Sequence, residues 1–364
     1  MAREATTLCN VIASAIEYRN RKQMKTVAAV QTEIGSALRI EEVELLDPAP
    51  DQVTVKLFSS GVCHSQLHQS HNPALGRPLL LGHEGTGVGT RIGRSGTHVK
   101  VGDHCIVTWV PRTPVRGPTQ REATGAMFQG QEAHGHVYTW ARDVQTSKEL
   151  VVPIPEEHPR DLSCIVGCAV LTGAGAVLHT AQVRPGQSVA VFGVGGVGLS
   201  AIRDASILEA YPIIAVDLDE SKLAFAQSFG ATHTVNASGN VDPVEAIRDM
   251  TGGGVDYAFD AIGRQQTCEQ ILQATRPGGI GGDNFGGMAE LVGIPQEKVT
   301  IDPGLFVYGQ RQYRGSLGAS FPDQDFAMYL RWHQEGKFPL DRLITRRYGL
   351  EQINEACHDL HSGD

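Results

Sequence analysis

The run Gly193-Val194-Gly195-Gly196-Val197-Gly198 constrains this chain more than any other stretch. Ahead of it, Ser188-Val189-Ala190-Val191-Phe192 is an apolar run of strand length. Behind it, Leu199-Ser200-Ala201-Ile202 opens a helical pattern. Glycines spaced G-x-G-x-x-G at a strand-to-helix turn let the backbone approach a pyrophosphate, and the helix N-terminus turns free N–H groups toward it. Glycine-rich turns also arise for structural reasons alone, so the motif needs a partner. Ile213-Ile214-Ala215-Val216 supplies one, a second strand that ends in Asp217. A carboxylate about twenty residues past the turn accepts hydrogen bonds from an adenosine ribose. A free 2′-hydroxyl suits Asp217 and a 2′-phosphate is repelled by it, so the pattern predicts NAD rather than NADP.

The region around this turn alternates regularly. Residues 221–229, 243–250 and 265–275 read as helices, and 232–235, 255–260 and 288–294 as strands. Alternation of this kind predicts an α/β, doubly wound parallel sheet. Residues 280–287 read as an inserted flexible loop with no functional reading. The chain opens differently. Residues 26–30, 38–43 and 52–57 are strand-like, with a break at Asp47-Pro48-Ala49-Pro50-Asp51. A β-rich domain therefore precedes the nucleotide fold, and 364 residues suit two domains. The predicted divisions are an extension over 1–23, a first domain over 24–169, a nucleotide-binding domain over 170–312, and a return to the first domain over 313–364.

Charge and cysteine usage remove several classes of function. A net charge of −9, with no long basic block, argues against a nucleic-acid partner. No apolar run approaches the ~18 residues of a membrane span, so no membrane role is expected. Residues 1–23 carry no signal-peptide pattern. Seven scattered cysteines, an odd number, do not form a disulfide framework, and a reducing cytoplasm fits them best.

Three of the soft side chains stand out. Cys63 opens Cys63-His64-Ser65-Gln66-Leu67-His68, His83 lies in Gly82-His83-Glu84-Gly85, and Cys168 precedes the dinucleotide strand. Singly, each is better explained by core packing than by metal binding. Together, two thiolates and one imidazole would neutralise Zn²⁺ and leave a fourth position open, as catalytic rather than structural sites do.

With these boxes in this order, the chain from about residue 24 onward resembles the zinc-dependent medium-chain dehydrogenases, the alcohol dehydrogenase superfamily. The resemblance implies a GroES-like catalytic domain and a Rossmann cofactor domain. It makes Cys63, His83 and Cys168 the metal ligands. Ser65 corresponds to the hydroxyl on the reacting alcohol, His68 to the outer histidine that passes its proton on, and Glu84 to the carboxylate behind the metal. His64 corresponds to a pyrophosphate contact, and Thr172 and Val292 to residues against the nicotinamide. Gly193, Gly195, Gly196, Val197 and Gly198 form the phosphate turn, with Asp217, Lys222 and Arg264 around the adenosine. Trp109 falls where the family places a wall of the substrate pocket.

The chain departs from the family pattern in places. Gln66 replaces an aspartate that partners the ligand histidine; an amide oxygen can accept that bond but adds no charge, which would leave the zinc slightly more electrophilic. Residues 109–132 contain none of the cysteines that hold a structural zinc in many members, so one catalytic zinc per chain is expected. The family also continues past Ser362-Gly363-Asp364 with a strand and an arginine on the cofactor phosphates, so cofactor affinity is expected to be lower if this end is natural.

The implied activity is reversible oxidation of a primary or secondary alcohol to an aldehyde or ketone, with hydride passed to NAD. The alternatives are a related enzyme acting on a polyol or a formaldehyde–thiol adduct, and a cofactor-binding relative without turnover. A small-molecule alcohol is the expected partner, in a homodimer or homotetramer.

Overall fold

A computed structural model describes residues 24–95, 98–115, 124–281, 284–318 and 320–363. The expected extension over 1–23 lies outside these residues. By contacts along the chain the protein divides into two compact units, one of residues 1–164 with 347–364 and one of residues 165–346.

The first unit is built from strands β1 (Met24–Gln31), β2 (Arg39–Leu45), β3 (Gln52–Ser60), β4 (Leu79–Leu80), β5 (Gly85–Ile92), β6 (His104–Val107), β7 (Ala126–Phe128), β8 (Gln131–Glu132), β9 (Asp143–Ser147) and β10 (Val151–Pro153). They form two five-stranded sheets, in the orders β4-β1-β2-β7-β8 and β10-β6-β5-β3-β9. All of these pairings are antiparallel. Val43, Val53, Val55 and Val144 from both sheets are fully buried in one core. Helix α1 (His64–Ser70) follows β3 directly. Gly87 in β5 permits the tight β3–β5 pairing, because a Cβ there would stand 2.3 Å from the Lys56 carbonyl oxygen.

The second unit carries helices α2 (Ala169–Gly175), α3 (Gly196–Ile207), α4 (Glu220–Gln227), α5 (Pro243–Thr251), α6 (Gln265–Ala274), α7 (Gly304–Val307) and α8 (Pro322–Gln334). Its strands are β11 (Val189–Phe192), β12 (Ile213–Asp217), β13 (His233–Asn236), β14 (Tyr257–Asp260), β15 (Met288–Leu291) and β16 (Gln312–Gly315). They make one parallel sheet in the order β13-β12-β11-β14-β15-β16. β11 is buried along its whole length, and the same apolar continuity in β12 reflects helices covering both faces. Strand order reverses beside β11, and the carboxyl ends there are where open α/β sheets bind ligands.

Segment 313–346, expected with the first domain, belongs to the second unit. β16 pairs with β15, Asp325 of α8 bonds His179 at 2.9 Å, and Thr180 bonds Ser316 at 2.8 Å. These polar ties across the second unit have no helical or strand periodicity to announce them. The remaining segment does sit with the first unit. There α9 (Ile353–Ser362) carries Asn354, whose side chain bonds both backbone groups of Leu38 at 2.9 Å.

Loop 280–287 was expected to be flexible. Its last three residues, 285–287, are hydrogen-bonded to the neighbouring backbone and to Arg276, whereas Ile280 is fully exposed. The Gly286 and Gly287 N–H groups donate to the carbonyls of Gln310 and Arg276, and Arg276 donates to the Phe285 carbonyl at 3.0 Å.

Candidate functional site

Cys63 is the N-cap of α1, with extended backbone (φ −105°, ψ 140°), so its side chain sits at the strand-to-helix corner. His83 is buried just ahead of β5. Cys168 is buried at the N-cap of α2. The metal-ligating atoms of Cys63, His83 and Cys168 all lie within 4.8 Å of one another. Among the described residues this is the one such grouping of three or more His, Cys, Asp or Glu side chains. Two soft sulfurs and an imidazole suit Zn²⁺ well, and three protein ligands leave the open position that catalysis needs. The residues present therefore fit a zinc ion.

The surroundings are polar and ordered. Ser65 Oγ donates to Cys63 Sγ at 3.3 Å. Glu84 is buried, and its carboxylate occupies the space that a Cβ on Gly61 would take, 2.5 Å away. Gly61 was not singled out in the sequence; its value lies in the room it leaves for Glu84. The ring of Trp109 stands 6.5 Å from that of His83.

Gln66 behaves otherwise than expected. Its oxygen does not accept from His83. Oε1 accepts the Gly82 N–H at 2.6 Å, and the amide nitrogen faces His83 Nδ1 at 2.7 Å. The backbone donor decides the orientation, because only the oxygen can sit against an N–H.

His64 and His68 lie one helical turn apart on α1, with Nδ1 of the first 3.4 Å from Nε2 of the second. The ring of His361, on α9, stacks on His64 at 6.1 Å. Burial, foremost, holds His68 below the usual imidazole range; His361 and His71 push the same way and Cys63 opposes them.

In the second unit the three motif glycines do three different jobs. Gly193 adopts φ +88°, where a side chain is strained. Gly198 lets α3 pack on the turn, since a Cβ there would stand 1.8 Å from the Gly193 carbonyl oxygen. Among the described residues, Gly195, the N-cap of α3, has nothing but its own chain neighbours within 4 Å of its missing Cβ. Its exposed backbone is the open face of the turn. Gly196 and Val197 begin α3.

Asp217, at the end of β12, accepts through Oδ2 from the Val194 N–H at 2.9 Å. Its Oδ1 accepts from the N–H groups of Leu218 and Asp219, at 2.7 and 3.1 Å. Lys222 lies in the first turn of α4, after the Asp219 cap. Arg264 is the exposed N-cap of α6, and Val292 follows β15 with its N–H on the Asp260 carbonyl at 3.0 Å. Thr172 in α2 is pressed by Gly318, whose absent Cβ would lie 2.2 Å from its Cα. Asp260 was missed in the sequence. Fully buried at the end of β14, it accepts from the Ile262 and Gly263 N–H groups at 3.0 Å and fixes the bend into α6. An acidic residue closing a buried strand, as Asp217 does, was the signal available.

Comparison with known proteins agrees with this arrangement. The family model for zinc-binding dehydrogenases matches residues 196–335, and that for the alcohol dehydrogenase GroES-like domain matches residues 49–156. The S-(hydroxymethyl)glutathione dehydrogenase of Komagataella pastoris is 31% identical over 94% of this chain and 96% of its own. An alcohol dehydrogenase zinc-binding domain protein from Burkholderia ambifaria superposes with a TM-score of 0.86 at 32% identity, covering 94% of this chain and 97% of that one. Benzyl alcohol dehydrogenase from Acinetobacter calcoaceticus gives a TM-score of 0.84 at 28% identity, over 93% and 97%. With both family models matched and identity sustained along nearly the whole length, the chain belongs to the zinc-dependent medium-chain dehydrogenase superfamily.

Proposed function

We propose that this protein is a zinc alcohol dehydrogenase that reversibly oxidises a primary or secondary alcohol and passes the hydride to NAD. The observation that carries the reading is the convergence of Cys63, His83 and Cys168 within 4.8 Å. These three would hold the ion. When bound, zinc supplies a Lewis acid that eases loss of the alcohol proton at neutral pH.

The chain's own groups do the rest. The Ser65 hydroxyl, held beside Cys63, takes that proton, and His68 delivers it to solvent, the role its lowered pKa suits. Glu84, buried beside Gly61, would support the bound metal from behind, and Trp109, near His83, would shape the substrate wall. Gly193, Gly195, Gly196, Val197 and Gly198 receive the pyrophosphate with His64, and Thr172 and Val292 orient the nicotinamide. Asp217, with Lys222 and Arg264, reads the adenosine. Support for NAD over NADP is the carboxylate itself, held in place by three backbone N–H groups.

The likeness to S-(hydroxymethyl)glutathione dehydrogenase favours a second reading, in which the alcohol is a formaldehyde–thiol adduct. A homo-oligomer is proposed as well, supported by the terminal strand β16 and by exposed Val307, Tyr308 and Leu317 near it. A cytoplasmic location is proposed too, supported by Cys105 and Cys268 standing as thiols rather than in disulfides.

The deciding assay is NAD-coupled absorbance over aliphatic and benzylic alcohols, a polyol and S-(hydroxymethyl)glutathione, repeated with NADP. Turnover of an alcohol with NAD supports the first reading, and strong preference for the thiol adduct supports the second. Zinc-loaded protein inert toward every substrate with both cofactors would refute both.

A further inference from the structure

We infer that Gln66 holds the zinc ligand His83 in the wrong tautomer for the metal, so that this chain retains zinc more loosely than a carboxylate at this position would allow. The inference rests on Cys63, His83 and Cys168 being the zinc ligands.

An amide offers one acceptor atom and one donor atom. The acceptor of Gln66 is committed to the Gly82 N–H at 2.6 Å, a backbone donor that cannot reverse. Gly82 itself is fixed at φ +98°, where a Cβ would stand 2.6 Å from the Trp140 nitrogen. The donor, Nε2, therefore faces His83 Nδ1 at 2.7 Å, and it also reaches Gln69 Oε1 at 3.3 Å. A neutral imidazole that accepts at Nδ1 carries its hydrogen on Nε2. With Nδ1 against Gln66, Nε2 is the ring atom that would meet the metal, and a ligating nitrogen must carry no hydrogen.

Zinc binding then needs one of two adjustments. Either the amide turns over, setting N–H against N–H at Gly82, or His83 gives up its bond to Gln66. Both residues are buried, at 2% and 8% exposure, so water does not replace what is lost. A carboxylate has no such conflict. Its two oxygens accept from the Gly82 N–H and from Nδ1–H together, leaving Nε2 bare.

Gln66→Glu changes the amide to a carboxylate at constant length. Zinc competition against a chelator, on full-length protein, should show tightening of roughly ten- to hundred-fold, the usual scale for partners of metal-bound histidines. Folded Gln66→Glu protein with unchanged or weaker zinc affinity overturns the inference. A second measurement does not depend on Gln66→Glu folding. Nitrogen NMR of histidine-labelled, zinc-free wild-type protein, with His83 assigned by its loss in His83→Asn, should show Nδ1 bare and hydrogen-bonded. A hydrogen on Nδ1 overturns the inference. Wild-type protein that takes up no zinc overturns the ligand assignment and this inference together, whereas zinc uptake indifferent to Gln66→Glu overturns this inference alone.

Discussion

The carboxylate of Asp217 accepts the backbone N–H of Val194 at 2.9 Å, so the end of β12 is fastened to the middle of the glycine turn. The acidic residue thus shapes the glycine turn, and under the proposed function the same carboxylate reads the adenosine ribose. Charge-assisted bonds of this kind contribute about 1.5–3 kcal/mol each. Asp217→Ser should raise KM for NAD at least ten-fold and narrow the preference over NADP by a similar factor. Steady-state kinetics with both cofactors measure this. An unchanged ratio would show that Asp217 does not read the ribose.

Gly195 and Gly198 separate binding from folding. A Cβ at 195 meets none of the described residues within 4 Å beyond its chain neighbours, and the backbone there (φ −74°, ψ −169°) is one that any residue adopts. Gly195→Ala is sterically open and should cost no more than about 1 kcal/mol, the N-cap preference of glycine over alanine. It should still weaken cofactor binding at least ten-fold, because the added methyl faces the phosphates. Gly198→Ala forces a methyl to 1.8 Å from the Gly193 carbonyl oxygen. That change should cost about 1–3 kcal/mol of stability as well as cofactor affinity. Thermal melts and cofactor titration of both variants read the contrast, and equal melting losses would contradict it.

Asp204 of α3 makes the folded protein pH-dependent. It is fully buried, neither carboxylate oxygen has a hydrogen-bond partner among the described residues, and its pKa is pushed well above the usual value by burial first and then by Asp325. The folded state therefore holds this proton more tightly than the unfolded state. Stability is full below the unfolded value of about 3.9 and falls as pH rises toward the raised folded value. Asp204→Asn removes that loss. Urea unfolding from pH 5 to 8 should show the variant gaining on wild type as pH rises, and a constant difference would show that Asp204 is not the group responsible.

Much of this site was legible in the sequence, because local chemistry specified it. Gly193 and Gly198 each meet a separate spatial demand that no other residue satisfies, and Asp217 ends a strand whose apolar run is unmistakable. Spacing alone did not bring Cys63, His83 and Cys168 together; the order of boxes shared with a known family did. The direction of the Gln66 amide was not legible, because it is set by a backbone N–H, that of Gly82, which every sequence contains. Nor was the place of residues 313–346. That segment is held by single polar pairs such as His179 with Asp325, which leave no periodic trace.

The central claim is that Cys63, His83 and Cys168 hold the zinc on which turnover depends. Elemental analysis of wild-type and Cys63→Ala protein, paired with the NAD-coupled assay on the same samples, tests it most directly. One zinc per wild-type chain is predicted, with both metal and turnover lost in the variant. Full turnover by Cys63→Ala protein free of zinc would contradict it.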